Sequence, residues 1–100
     1  MPSNEIQPLL LRVADGEARA LAELYDATAV FVFGILRRML WNTESAEEVA
    51  QETFVRAVSA LERGALPERA LPWLLGIARN VLLEWLRSTR YERGLQQRLA

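Results

Sequence analysis

"PWLLGIARNVLLEWLRSTRYER", residues 72–93, is the stretch on which the fold turns. Wound at about 100° per residue, it puts Leu74, Leu75, Ala78, Val81, Leu82, Trp85 and Leu86 on one side, with Leu71 just before them. That is the core stripe of an amphipathic helix. Around Asn80, on the opposite side, lie Trp73, Gly76, Glu84, Arg87 and Tyr91, with Leu83 close by and Arg79 and Arg90 at one edge. The wheel therefore predicts a core Trp85 and a Trp73 outside the core. A wet helix face has no need of two rings and a glycine. Aromatic rings stack on unpaired bases, guanidinium groups meet phosphates, and an amide both donates to and accepts from a base edge. Gly76 would let a backbone or base come close. A solvated face, with Trp73 folded onto the preceding loop and Tyr91 fraying, accounts for the same periodicity. On the wheel alone both readings stay open.

Upstream, the pattern predicts three more helices and no strand. In the first, Pro8 suits the opening turn, Leu9, Leu10 and Val13 form the apolar side, and Asp15-Gly16 ends it. The second runs from about Glu17 to Leu40, with Leu21, Tyr25, Thr28, Val32, Ile35, Leu36 and Met39 as its stripe. Val30 points away from that stripe, and Phe31 and Phe33 flank it as a wide core edge or a partner surface. Trp41 to Glu44 breaks the pattern. The third helix begins with a capping box in which Ser45 caps and Glu48 reaches back. Ala46, Val49, Ala50, Phe54, Ala57, Val58 and Leu61 are its buried side, and Gly64 closes it. "GALPERA", 64–70, is a loop, and the last helix runs from about Leu71 to about Tyr91. Four amphipathic helices with short connections predict an all-α, compact four-helix bundle in one domain.

Composition excludes several chemistries. The 100 residues contain no Cys and no His, which removes disulfides, thiol nucleophiles, imidazole bases and nearly every usual zinc site. No metal or other cofactor is expected. The longest apolar run, 29–36, is far too short to cross a membrane. No charged-then-apolar leader opens the chain, so a cytoplasmic location is the expectation. All 12 cationic side chains are Arg, a bias that codon usage explains without any special chemistry. The net charge of −1 argues against a wholesale DNA coater. That average conceals a segregation: residues 41–68 carry two Arg and six Glu, whereas 69–100 carry six Arg and two Glu. Adjacent acidic and basic segments imply two different partner surfaces.

On the acidic third helix Glu48, Gln51, Glu52, Val55 and Ser59 share the exposed side. A solvated face opening on dipole-friendly Glu47 and Glu48 is the plain reading. Acid–base catalysis by Glu47, Glu48 and Glu52 is disfavoured, because Glu48 and Glu52 lie on a convex helix with no base or nucleophile converging on them. A helical scaffold or adaptor that binds a protein but no nucleic acid is the remaining alternative.

"AEEVAQETFVRAVSAL" (46–61) followed by "PWLLGIARNVLLEWLR" (72–87) resembles domain 2 of bacterial RNA polymerase sigma factors of the extracytoplasmic-function (ECF) group. The resemblance spans about residues 8–93 and includes "DGEARALAELYD" at the start of the second helix. Its two signatures are Glu48-Val-Ala-Gln51-Glu52-Thr53-Phe54, then Trp73-Leu74 with Ile77-Ala78-Arg79-Asn80. It implies a transcription initiation module with two surfaces. Glu48, Gln51 and Glu52 match the surface that docks on the large-subunit clamp coiled coil of the polymerase core, and Val55 suits a partly apolar partner helix. The fourth helix and its preceding loop would hold the non-template single strand of the promoter −10 element. Trp73 matches an aromatic at the melting edge, and Arg79 and Asn80 fall in the recognition motif. The loop side chains Leu66, Glu68 and Arg69 join them, and the wheel adds Arg87 and Arg90 as phosphate contacts. An anti-sigma factor is a further partner that the family implies. Glu84 stands where Asp is usual, the loop lacks an aromatic, and the chain stops before the family's C-terminal helix-turn-helix domain, which reads the upstream element.

Overall fold

The computed structural model describes the backbone of residues 3–99 and the side chains of 6–89 and 97–99. Four helices follow one another: α1 (Ser3–Ala14), α2 (Ala18–Met39), α3 (Thr43–Glu62) and α4 (Ala70–Leu99). Among the described residues there is no strand, as expected. α4 is longer than the sequence pattern predicts. Its 30 residues amount to about 45 Å of helix, which sets the long axis of a molecule 52 × 26 × 21 Å in extent.

Two glycines punctuate the bundle by the same device. Gly16 (φ 86°) and Gly64 (φ 102°) adopt the left-handed conformation that side chains resist. In each case two backbone bonds close a Schellman end: Gly16 to Val13 and Glu17 to Arg12 after α1, Gly64 to Leu61 and Ala65 to Ala60 after α3.

The helix starts depart from expectation. α1 begins at Ser3, so Pro8 lies inside it rather than in its first turn. α3 begins at Thr43, and its cap is Asn42, not Ser45. The Asn42 carboxamide oxygen accepts from the backbone N–H of Glu44 at 2.8 Å and of Ser45 at 3.3 Å. Two donors that a helix start leaves unpaired are thereby satisfied, and Ser45 becomes an ordinary first-turn residue.

α2 also sits rotated from the predicted stripe. The row Ala20, Leu24, Thr28, Val32 and Leu36 is buried, whereas Tyr25, Ile35 and Met39 are exposed. Two buried hydroxyls, Thr28 and Thr53, donate to the carbonyls of Leu24 (2.7 Å) and Val49 (2.8 Å), so neither carries an unpaired polar atom into the interior.

The interior divides into two clusters. One joins Ile6, Leu9, Leu10 and Val13 of α1 to Ala20 and Leu24 of α2, Leu61 of α3 and Ala70 of α4. The other joins the second half of α2 to Val49, Phe54 and Ala57 of α3 and to Leu74, Ala78, Val81 and Leu82 of α4. Trp73 packs against both. Trp85 packs against the second alone and is likewise half-buried. The expected contrast of a core Trp85 and a non-core Trp73 is therefore wrong. The wheel counts angles about one axis, whereas Trp73 lies at the start of α4, where α1, α2 and α3 all supply neighbours.

Candidate functional site

The α3 motif divides by face. Gln51 and Glu52 point outward while Thr53 and Phe54 point inward, so the buried half fixes the rotation of the exposed half. Glu48, Gln51, Glu52 and Val55 are all exposed, at the i, i+3, i+4, i+7 spacing that makes one helix face. Val55 is 56% exposed, an apolar spot in an acidic row.

On α4, Gly76, Arg79, Asn80, Leu83, Glu84 and Arg87 are exposed. A Cβ at Gly76 would meet nothing within 4 Å, so packing inside this chain does not require glycine there. The Arg87 side chain turns back along its helix, Nε donating to the Leu83 carbonyl at 3.3 Å. Leu66, Glu68 and Arg69 are exposed on the loop before α4. The side chains of Arg90 and Tyr91 lie outside the described residues.

Trp73 and Asn80 meet in a cleft of about 480 Å³ between α3 and α4. Ile77 lies with them on the α4 wall, and Arg56, Ser59 and Arg63 stand on the α3 wall. Leu66, Glu68, Arg69, Arg79 and Arg87 do not line it. Glu52 and Val55, expected on a separate protein-binding surface, reach the same cleft. The two expected surfaces therefore adjoin at this cleft, through Glu52 and Val55 on one wall and Trp73 and Asn80 on the other.

One ionic chain ties α3 to α4 beside this cleft, through Glu84, which does not line it. Arg56 Nε donates to Glu52 at 3.1 Å on its own helix, and Arg56 Nη1 donates to Glu84 at 2.5 Å on α4. The hydrogen bond from Arg56 holds the Glu84 carboxyl below its ordinary range, and the positive charges of Arg56 and Arg87 add to that. The same bonds, to Glu84 and then to Glu52, raise Arg56 further above its already high value. The acidic average of residues 41–68 hid Arg56 and Arg63, although their spacing with Ser59 places all three on one helix face.

A second concavity was also missed. A groove of about 1000 Å³ runs between α2 and α3, with Tyr25, Val30 and Phe33 on one side and Gln51, Phe54 and Val55 on the other. Tyr25, taken from the sequence as core, is 51% exposed here, its ring 5.0 Å from that of Phe54. Gln51 and Val55 belong at once to the acidic row and to this apolar groove.

Comparison with known families decides the relationship. The model of sigma-70 region 2 matches residues 24–91, which contain α3, the cleft and most of α2 and α4. The chain belongs to the sigma-70 region 2 family. Among curated relatives, the ECF RNA polymerase sigma factor SigC of Mycobacterium tuberculosis (strain CDC 1551 / Oshkosh) is 36% identical over 85 residues, 85% of this chain and 45% of the relative. The ECF RNA polymerase sigma factor SigK of Mycobacterium bovis (strain BCG / Pasteur 1173P2) is 35% identical over 86 residues, 85% of this chain and 46% of the relative. The region 2 chain thus spans about half the length of the curated relatives it matches. No solved structure is a significant match. A sigma family is not a family of enzymes. Among the described residues, no helix is long and apolar enough to cross a membrane.

Proposed function

We propose that this region 2 chain is a transcription initiation module of an ECF sigma factor, working in the cytoplasm. It binds RNA polymerase core through Glu48, Gln51, Glu52 and Val55 and holds the promoter −10 element as non-template single-stranded DNA. The observation that carries the reading is the α3–α4 cleft: a half-buried indole, Trp73, and an exposed amide, Asn80, face Arg56 and Arg63 across it. Ring, amide and guanidinium groups supply stacking, base-edge hydrogen bonding and phosphate attraction together. The loop 64–70, with Leu66, Glu68 and Arg69, and Asn80 read the bases; Arg79, Arg87 and Arg90 hold the phosphates. The acidic row docks on the basic clamp coiled coil of the large subunit, and Val55 adds an apolar anchor.

The apolar groove between α2 and α3 supports a further protein partner. An anti-sigma factor that fills it would overlap Gln51 and Val55 and so compete with the polymerase. The test is a pull-down of polymerase core by the chain, with and without single-stranded −10 DNA. Capture of core, strengthened by the strand, is the expected result. Protein capture without strand binding even at low salt would leave only a helical adaptor.

A further inference from the structure

Gln7 lies on α1, yet both ends of its carboxamide are spent some sixty residues away. Its Nε2 donates to the backbone carbonyl of Pro67, in the middle of the loop before α4. Its Oε1 accepts from the backbone N–H of Ala70 at 3.1 Å. The polarity leaves no choice of orientation, since only the amide NH₂ serves a carbonyl and only the amide oxygen serves an N–H. Ala70 is the first residue of α4, and a first-turn N–H has no acceptor within its own helix. Gln7 thus caps one helix from another and holds the loop that enters it.

The support behind this contact is rigid. Ile6, Leu9 and Leu10 flank Gln7 in sequence and are buried in the cluster that also contains Ala70. The other end of the loop is set by the left-handed Gly64. A segment with its entry, middle and exit all fixed carries Leu66, Glu68 and Arg69 on its exposed side. Leu66 is 66% exposed.

We propose that Gln7 is a positioning residue for base selection: it fixes the Pro67–Ala70 backbone and so sets where the loop's side chains meet an unpaired base. The inference rests on the reading of loop 64–70 as base-reading. Discrimination needs contacts held within a fraction of an ångström, whereas attraction to phosphate tolerates movement. A loop released from Gln7 therefore still binds strands but chooses among them poorly.

The experiment selects from a pool of short single-stranded DNA randomised at its central positions, using the 100-residue chain as wild type, Gln7→Met and Gln7→Glu. Gln7→Met keeps the length and removes both bonds. Gln7→Glu keeps the acceptor for Ala70 but turns an anionic oxygen toward the Pro67 carbonyl, releasing the loop while preserving the cap. In both variants the best-to-worst base ratio at the most selective position falls about fivefold or more. Affinity for an oligo-dT strand changes less than about twofold. Gln7→Glu melts like the wild type, and it carries the comparison alone if Gln7→Met does not fold. A wild-type chain with a flat base spectrum overturns the base-reading loop and this inference together. A selective wild type whose two variants stay equally selective overturns this inference alone.

Discussion

Arg56 of α3 lies 2.5 Å from Glu84 of α4 while also holding Glu52, so one guanidinium joins the acidic face to the helix that faces across the cleft. Glu84 is thereby stabilised as a carboxylate in the folded chain. With its folded pKa below the unfolded value, its contribution is complete above the unfolded pKa and fades as pH falls through the lowered one. Acidifying below the ordinary Glu range of about 4.3 should therefore cost wild type more stability than Glu84→Gln. Melting curves from neutral pH into that range, for both chains, measure the difference. Parallel curves would mean that the pair is idle in solution.

Trp73→Ala should destabilise the chain at least as much as Trp85→Ala. Both rings are half-buried, so each loss should fall somewhat under the roughly 3–5 kcal/mol of a fully buried aromatic. Urea denaturation of the two variants gives the comparison. A Trp73→Ala chain as stable as wild type would contradict its packing on both clusters.

Glu48→Arg tests the acidic face more cleanly than any change at Glu52, whose carboxylate also holds Arg56. Stability should stay within about 0.5 kcal/mol of wild type. Affinity for polymerase core should drop about tenfold, close to 1.4 kcal/mol, with the loss shrinking as salt rises. Unchanged holoenzyme assembly would make this face merely solvated.

Asn80→Ala and Arg87→Ala should fail in different ways. Loss of Arg87 weakens all single strands alike and flattens the salt slope by about 0.7 per lost contact. Loss of Asn80 should mainly erase preference among sequences, by about 1–3 kcal/mol. Titrations with two sequences at two salt concentrations separate the cases. If Asn80→Ala keeps the ratio between sequences, base reading belongs to other residues.

Gly76→Ala should stabilise the isolated chain by about 0.5–1 kcal/mol, because an exposed helical glycine costs that much relative to alanine and the added methyl meets nothing. Single-strand affinity should fall if a base or backbone approaches there. A gain in both would assign Gly76 no part in binding.

Much of this arrangement was legible in the residues. The α4 stripe repeats so regularly that Leu74, Ala78, Val81 and Leu82 were placed correctly as buried, and the α3 row Glu48, Gln51, Glu52 and Val55 as exposed. The rotation of α2 was not. With Val30, Phe31, Phe33 and Ile35 the helix is apolar on most sides, and hydropathy undervalues Ala20, whose smallness suits a close approach between helices. Asn42 and Ser45 are both good caps, and the Ser45–Glu48 spacing imitates a capping box; only the backbone distinguishes them. Arg56 and Arg63 vanished into a negative regional average. Gln7 carried no signal, since a contact across sixty residues leaves no trace in local pattern.

The position of Trp73 bears on cooperativity. A hundred-residue chain with two apolar clusters has two nuclei, each small enough to be marginal alone. Three helices run through both, yet among the partly buried hydrophobic side chains described, Trp73 is the one packed on each. The indole thus adds a side-chain link between two units that α2, α3 and α4 already join. Were it weakened, the α1 end would open by local fluctuation while the α3–α4 half stayed closed. Amide exchange in α1 should therefore quicken in Trp73→Ala, although residue 73 lies outside that helix.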